Sequence, residues 1–394
     1  MSWDGHCVLV LLAPGQGSQA PGMLAPWLEL PGATARVRWM SAVTGLDLLH
    51  LGTEADAEQI KDTAVTQPLI VALGLLALTE LDLGGAGVTV GHSVGELTAA
   101  TVAGVLHPDT AVALAAVRGR AMAMACEQAE TGMSAVVGGD QDVVVRRITD
   151  CGLTAANRNG AGQIVAAGRR DRLEQLLAEP PAKARVVPLP VAGAFHTEYM
   201  ASAEKALAAL AGGIHATDPD RLLLSNADGT AVQTGAEMLN RLVRQVTAPV
   251  RFDSCLATMA DLGVTTVLEL PPAGTLAGLV KRELKGVDIV ALKTPADLPA
   301  ARDLLAQHAG AYQAEHTPDW RVVVAPVRGT MQHAGVVEGA DVAAGTPLGT
   351  VVSKREEVHV SATYDGVLAE WLVEDGDLVD AGDPLARLYP AGAR

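Results

Sequence analysis

The stretch GVTVGHSVGELTAA, residues 87–100, restricts the fold more than any other part of the chain. A short run of β-branched and apolar residues ends in Gly91-His92-Ser93-Val94-Gly95, and a helix-forming pattern starts at once. A strand that becomes a helix through so few residues must turn sharply at a sheet edge, with the helix folding back over the sheet. Two readings of Ser93 fit this pattern. It is a nucleophile raised on a strained elbow, or it is a helix-capping serine between two glycines that only tighten the turn.

The surrounding chain supplies the alternation that such a turn needs. CVLVLLAPGQGSQ reads as a buried strand and a Pro/Gly loop, and helical patterns occupy 20–50. TQPLIVALGLLALTEL (66–81) is apolar nearly all round, as a central helix is. Strand, loop, helix, strand, elbow, helix is the order of a parallel α/β sheet. Only 3% of residues are aromatic while 49% are apolar, which favours Ala-, Leu- and Val-rich helices on a sheet over an aromatic-rich sandwich.

Between about 131 and 193 the texture changes to GMSAVVGG, LTAANRNGAGQIVAAG and ARVVPLPVAGAF, separated by VVVRRITD and RDRLEQLLAE. This β-α-β-β-α-β rhythm predicts a ferredoxin-like insertion. The α/β texture resumes with RLLLSNADG and TTVLELPP and ends near residue 310. The expected organisation is one unit over 1–310, a polar linker over 311–320 and a second unit over 321–390.

That second unit is short strands and Gly turns, and it repeats itself. Ala325, Gly329, Gly339, Val342, Gly345, Pro347 and Leu348 recur as Ala362, Gly366, Gly376, Val379, Gly382, Pro384 and Leu385, each pair 37 positions apart (362 − 325, 366 − 329 and so on). One constant offset over seven residues marks a two-fold pseudo-repeat.

A net charge of −16 argues against bulk binding to nucleic acid or to an anionic membrane. Cys7, Cys126, Cys151 and Cys255 are scattered without a CxxC pair, so reduced cytoplasmic thiols are expected rather than a disulfide frame or a metal site. The start lacks a basic region, its apolar run over 8–13 is short, and no window approaches 18 apolar residues; a soluble protein is expected.

A serine nucleophile needs a base. Of the ten histidines, His196 in PVAGAFHTEYM follows a β-like run that can deliver it to the sheet edge, whereas a lone histidine is otherwise often a structural residue. His92 adjoins Ser93 and must point away across the elbow, while His50, His107, His215 and His308 are expected at the surface. No acid stands at a strand end between Ser93 and His196; Asp140 and Asp150 fall in the insertion. A dyad is expected, with a backbone carbonyl holding the imidazole.

At this point six ordered segments carry a resemblance. GQGSQ (15–19), GHSVGE (91–96), VRGRAM (117–122), NRNGAGQIVAAG (157–168), AGAFHT (192–197) and VRQVTAPVRF (243–252) occur in the order and spacing of the malonyl-CoA:acyl carrier protein transacylases. The chain resembles that family over about 7–300. The resemblance implies an α/β-hydrolase-like parallel sheet with the inserted ferredoxin-like subdomain. It implies malonyl transfer from malonyl-CoA to the phosphopantetheine thiol of an acyl carrier protein, in fatty-acid or polyketide synthesis. Ser93 would attack and His196 would act as base. The backbone N–H groups of Gln16 and Val94 would form the oxyanion hole, and Arg118 would grip the malonyl carboxylate. A main-chain carbonyl near APVRF, at Ala248 or Arg251, would orient His196.

Arg118 also follows from electrostatics alone. A dicarboxylate half-thioester brings a second charge into a site that must exclude water, and a guanidinium pairs with it bidentately; the other reading is an ordinary helix-surface arginine. Acidic carrier proteins would need local positive charge, for which Arg169, Arg170, Arg172, Lys183, Arg185, Lys281, Arg282 and Lys285 are candidates.

The 37-residue repeat resembles the biotinyl/lipoyl domain, a small all-β flattened barrel of two similar halves. The position that would carry the cofactor holds Arg355, with Lys354 one residue early. Arginine cannot form the amide, and a one-residue slip in a hairpin turns a side chain to the other face. Neither biotin nor lipoate is expected, and the domain is expected to dock a partner such as a carboxylase or synthase. Two rival functions remain: a thioesterase acting on carrier-bound acyl groups, and an idle adaptor working through the C-terminal domain.

Overall fold

The computed structural model describes residues 8–308, 321–353, 357–362, 365–380 and 383–390. The chain divides into two units, Met1–Tyr312 and Gln313–Arg394. The expected linker, 311–320, lies outside the described residues.

The first unit is built on a five-stranded sheet whose pairings are all parallel, in the order Asp288–Ala291, Val264–Glu269, Val8–Ala13, Val88–Gly91, Leu222–Leu224. Strands buried on both faces read as continuous apolar runs, and alternate residues feed two cores. Leu9, Leu11 and Ala13 pack with the helices Thr63–Leu78 and Pro108–Cys126, while Val10 and Leu12 pack with Phe252–Asp261 and Thr275–Glu283. Thr63–Leu78 is buried on nearly every face, as a sequence apolar nearly all round predicts. The two central strands run in parallel, so their carboxyl ends open at one edge of the sheet, and the loops that follow them meet there.

The insertion contains Thr131–Gly138, Gln141–Asp150, Thr154–Gly160, Gln163–Arg169, Arg170–Ala178 and Ala184–Pro188. Its antiparallel strands pair in the order last, first, third, second, the ferredoxin-like arrangement. One strand was not foreseen. Val250–Arg251 adds in parallel to the edge of Thr154–Gly160 and ties the insertion to the main sheet's loops.

The second unit is two four-stranded sheets around one apolar core. The repeat explains the core. Ala325 and Ala362, Val342 and Val379, and Leu348 and Leu385 are buried at equivalent places in the two halves. Strands Pro347–Val352 and Glu357–Ser361 pair with Val352 opposite Glu357, leaving 353–356 between them. Lys354 and Arg355 lie outside the described residues.

Candidate active site

Ser93 follows the strand Val88–Gly91 with a left-handed backbone, φ 52°. A non-glycine residue persists there only when its surroundings hold it. Its N–H donates to Asn226 Oδ1 at 2.7 Å, and Asn226 Nδ2 donates to the Gly91 carbonyl at 2.7 Å. The His92 N–H donates to the Ala13 carbonyl at 3.0 Å, fastening the elbow to the first strand's loop. A Cβ on Gly95 would collide with the Ala13 carbonyl oxygen, and one on Gly91 with the Gly95 carbonyl, so both flanks require glycine.

The Ser93 hydroxyl does not cap the helix. Val94 is the N-cap of Gly95–Val102, with no side-chain cap. Ser93 Oγ instead lies 2.8 Å from His196 Nε2. His196, itself at φ 59°, donates its Nδ1–H to the Gln245 carbonyl at 2.7 Å.

The sequence places that carbonyl at Ala248 or Arg251; the close contact is to Gln245, the Ala248 backbone also hydrogen-bonds the imidazole, and Arg251 is not among its partners. Gln245 is the C-cap of the helix Gly235–Arg244, where carbonyls lack intrahelical partners and carry partial negative charge. Arg251 is taken up by the short strand beside the insertion, its N–H donating to the Asn226 carbonyl and its side chain to Asp253 at 2.9 Å.

Burial lowers the His196 pKa from 6.5 to about 3; the nearby Arg118 charge adds to this, and the Gln245 carbonyl opposes it. The imidazole is therefore neutral near pH 7. With its proton on Nδ1, Nε2 presents a lone pair to the Ser93 hydroxyl.

Arg118, on Pro108–Cys126, is 2% exposed, which is not how a surface arginine behaves. Nη1 donates to Gln67 Oε1 at 2.7 Å, and Nη2 donates to Gln245 Oε1 at 3.0 Å and to Ser93 Oγ at 3.2 Å. Burial lowers its pKa to about 10 and Glu96 opposes the shift, so it stays charged. Glu96 is buried in the first turn of the elbow helix; burial raises its pKa to about 7 against its hydrogen bonds and the Arg118 and Arg241 charges.

A cavity of about 650 Å³ opens over this group. Ser93, His196, Phe195, Met122, Gln16 and Gln67 line it, with Lys61 and Arg282 among its cations. Arg118 is not among its lining residues and meets the site through Ser93 Oγ. Gln16 and Val94 belong to the two loops that meet at the elbow. His92 turns away, as expected, to Asn159 Oδ1 at 2.9 Å. His308 was expected at the surface and is buried, its Nδ1 on the Leu304 carbonyl.

Of the basic candidates on the insertion, Arg169 and Arg172 are engaged by Asp171, and Arg170 reaches the Thr131 carbonyl. Among the described residues no cluster of His, Cys, Asp and Glu could hold a metal, and no helix is long and apolar enough to cross a membrane. Cys126, Cys151 and Cys255 are free and buried.

Sequence reasoning missed Gln67, Glu96, Asn226 and Gln245. Glu96 and Gln245 lie inside motifs already singled out, GHSVGE and VRQVTAPVRF. A glutamate one turn past a nucleophile elbow and a glutamine at a helix end were the available signals.

The comparisons with known proteins follow this geometry. Residues 10–318 match the acyl transferase domain model, and 321–388 match the model described as biotin-requiring enzyme. The malonyl CoA-acyl carrier protein transacylase of Mycobacterium tuberculosis is 55% identical over 302 residues, covering 75% of this chain and 100% of the relative. That of Escherichia coli is 32% identical, covering 74% and 97%. The crystal structure of MCAT from Mycobacterium tuberculosis superposes with a TM-score of 0.73 at 55% identity, over 76% of this chain and 99% of that one. A type II PKS acyl-carrier protein in complex with its malonyl-transacylase gives 0.70 at 28% identity, over 75% of this chain and 99% of that one. With its elbow, parallel sheet and inserted subdomain accounted for across most of its length, the chain belongs to the acyl transferase family.

Proposed function

We propose that this protein moves a malonyl group from coenzyme A to the phosphopantetheine thiol of an acyl carrier protein, through a malonyl-Ser93 intermediate. The observation that carries the reading is the placement of one hydroxyl oxygen, Ser93 Oγ, against both a neutral imidazole and a buried guanidinium. The high identity to transacylases of that activity supports it.

In the first half-reaction His196 Nε2 takes the Ser93 proton as Oγ attacks the thioester carbonyl. The oxyanion takes the N–H groups of Val94 and Gln16. The tetrahedral intermediate collapses, the C–S bond breaks, and the imidazolium returns its proton to the departing thiolate. The carrier thiol then gives its proton to His196 and attacks the malonyl ester by the same steps in reverse. Charge on the imidazolium is eased by the helix end that supplies the Gln245 carbonyl.

Arg118 binds the free carboxylate, which selects a 3-carboxyacyl group over a plain acyl chain and keeps the ester from drifting into reach of water. Phe195 beside His196 leaves little room for an α-methyl group, so malonyl is preferred to methylmalonyl.

The test is the intact mass of the protein after malonyl-CoA, with and without a carrier protein. The expected result is a malonyl adduct, absent in Ser93→Ala, that disappears as the carrier gains it. Rapid release of free acid from both malonyl-CoA and acetyl-CoA would make it a thioesterase instead.

The C-terminal unit is a docking module in this reading, bringing a carboxylase or synthase partner near, and it carries neither biotin nor lipoate. Support comes from the hairpin register, which leaves only 353–356 between the paired strands, with arginine at the attachment position. Arginine cannot form the amide that holds such a cofactor, and Lys354 stands one residue early. A biotinyl or lipoyl adduct on Lys354 in protein from its native host would overturn this.

A further inference from the structure

Glu96 is 1% exposed, yet its carboxylate forms no direct ion pair among the described residues. Oε1 accepts the Asn226 N–H at 2.5 Å, and Oε2 accepts Gln245 Nε2 at 2.6 Å. A buried carboxylate is expensive unless its acceptors are filled. The Ser225 side chain also hydrogen-bonds this carboxylate, while the two groups named, Asn226 and Gln245, each touch the reacting centre. Asn226 Oδ1 holds the Ser93 N–H, and Gln245 holds two partners: its main-chain carbonyl accepts from His196 and its Oε1 accepts from Arg118.

We propose that Glu96 is a positioning residue that holds the His196 imidazole and the Arg118 guanidinium in place through Gln245. The inference rests on the proposed roles of those two residues. The argument is one of hydrogen-bond direction. Arg118 donates to Gln245 Oε1, and Gln245 Nε2 donates to Glu96, so the chain runs one way and ends on a carboxylate that, once ionised, is a pure acceptor.

A glutamine at 96 cannot end it. Its oxygen is claimed by the Asn226 N–H, so its amide hydrogens face Gln245. Gln245 must then turn its own amide, and an N–H comes to face the N–H of Arg118. The guanidinium loses an acceptor and the glutamine linking it to the base is displaced. An aspartate keeps the charge but is one methylene short of reaching both partners. Removal of the charge and removal of the reach thus converge on the same loss, which a simple countercharge role does not predict.

The experiment uses the full chain as wild type, Glu96→Gln and Glu96→Asp. Steady-state kcat and KM are measured with malonyl-CoA, acetyl-CoA is measured as substrate or competitive inhibitor, and rates are normalised to the acyl-enzyme burst. Both variants are expected to raise KM for malonyl-CoA by roughly tenfold or more while acetyl-CoA binding changes by less than about twofold; kcat is expected to fall. A merely structural glutamate would lower the active fraction and leave the malonyl-to-acetyl ratio unchanged. That ratio unchanged in both variants overturns the proposal, and so does failure of both to fold, which would make Glu96 a folding residue. Wild type that forms no malonyl adduct sinks the underlying reading instead.

Discussion

Arg118 and Ser93 are hydrogen-bonded: Nη2 of the buried guanidinium stands 3.2 Å from the hydroxyl oxygen that also faces His196 Nε2 at 2.8 Å. In the proposed mechanism a fixed cation thus lies against the attacking atom, and no side-chain carboxylate contacts either Ser93 or His196 among the described residues.

Arg118→Ala removes both that contact and the clamp for a substrate carboxylate. Truncating one partner of a buried, hydrogen-bonded charge pair costs roughly 2–5 kcal/mol, so kcat/KM for malonyl-CoA should fall by about one and a half to three and a half orders of magnitude. Acylation by acetyl-CoA should fall far less, because it never used the clamp. Single-turnover acylation with both thioesters decides it, and equal losses would contradict the carboxylate role.

The His196 imidazole is held well below its ordinary range, from 6.5 to about 3, first by burial and then by the Arg118 charge. The free enzyme's base is therefore already unprotonated across the mildly acidic range. Acylation kcat/KM should show no acidic limb from this group at the usual histidine pKa. Rapid-quench acylation between pH 5 and 8 checks it at about the range where an unperturbed imidazole would titrate. A limb near 6.5 that survives in Glu96→Gln would mean that the site is wetter than the structure has it.

Much of this was legible in the sequence because strong local constraints wrote it there. GHSVG needs glycine on both flanks for backbone contacts, so the elbow announces itself. The apolar run of Thr63–Leu78 and the β-α-β-β-α-β rhythm of the insertion are equally local. Gln245 and Asn226 were not legible. Each acts through several hydrogen bonds to residues far away in the sequence, and such bonds leave no periodic trace. The parallel strand Val250–Arg251 was missed because two residues carry no alternation to read.

Gly95 offers a direct check on the elbow. Replacing a glycine near a helix start by alanine ordinarily favours the helix by up to ~1 kcal/mol. Here the added methyl meets the Ala13 carbonyl oxygen, a backbone atom that cannot swing aside. Overpacking of that kind typically costs about 1–3 kcal/mol, so Gly95→Ala should lower Tm rather than raise it. It should also slow acylation by shifting Ser93 from His196. An unchanged Tm would mean that the loop after Val8–Ala13 yields easily.

Removing residues 313–394 should leave transfer to a free carrier protein intact, because every group in the proposed mechanism lies in the first unit. kcat and KM of the truncated chain with a free carrier test this. A large loss confined to the carrier half-reaction would show that the second unit helps to receive the carrier.

Glu96 and His196 pull stability in opposite directions with pH. The folded Glu96 carboxyl titrates at about 7 instead of 4.5, chiefly because of burial. Between those values the folded chain holds a proton that the unfolded chain has lost, so this group's contribution falls as pH rises through the window. His196, lowered from 6.5 to about 3, does the reverse: the unfolded chain binds the extra proton, and stability rises across its window. The two slopes overlap and partly cancel in the wild type. Glu96→Gln deletes the falling one, leaving a fixed offset from its mismatched amide. Its Tm relative to wild type should therefore climb from about pH 5 to about pH 7.5, measured by calorimetry in matched buffers. Parallel profiles would mean that Glu96 is ionised throughout, with the Arg118 charge and the Asn226 and Gln245 hydrogen bonds outweighing its burial.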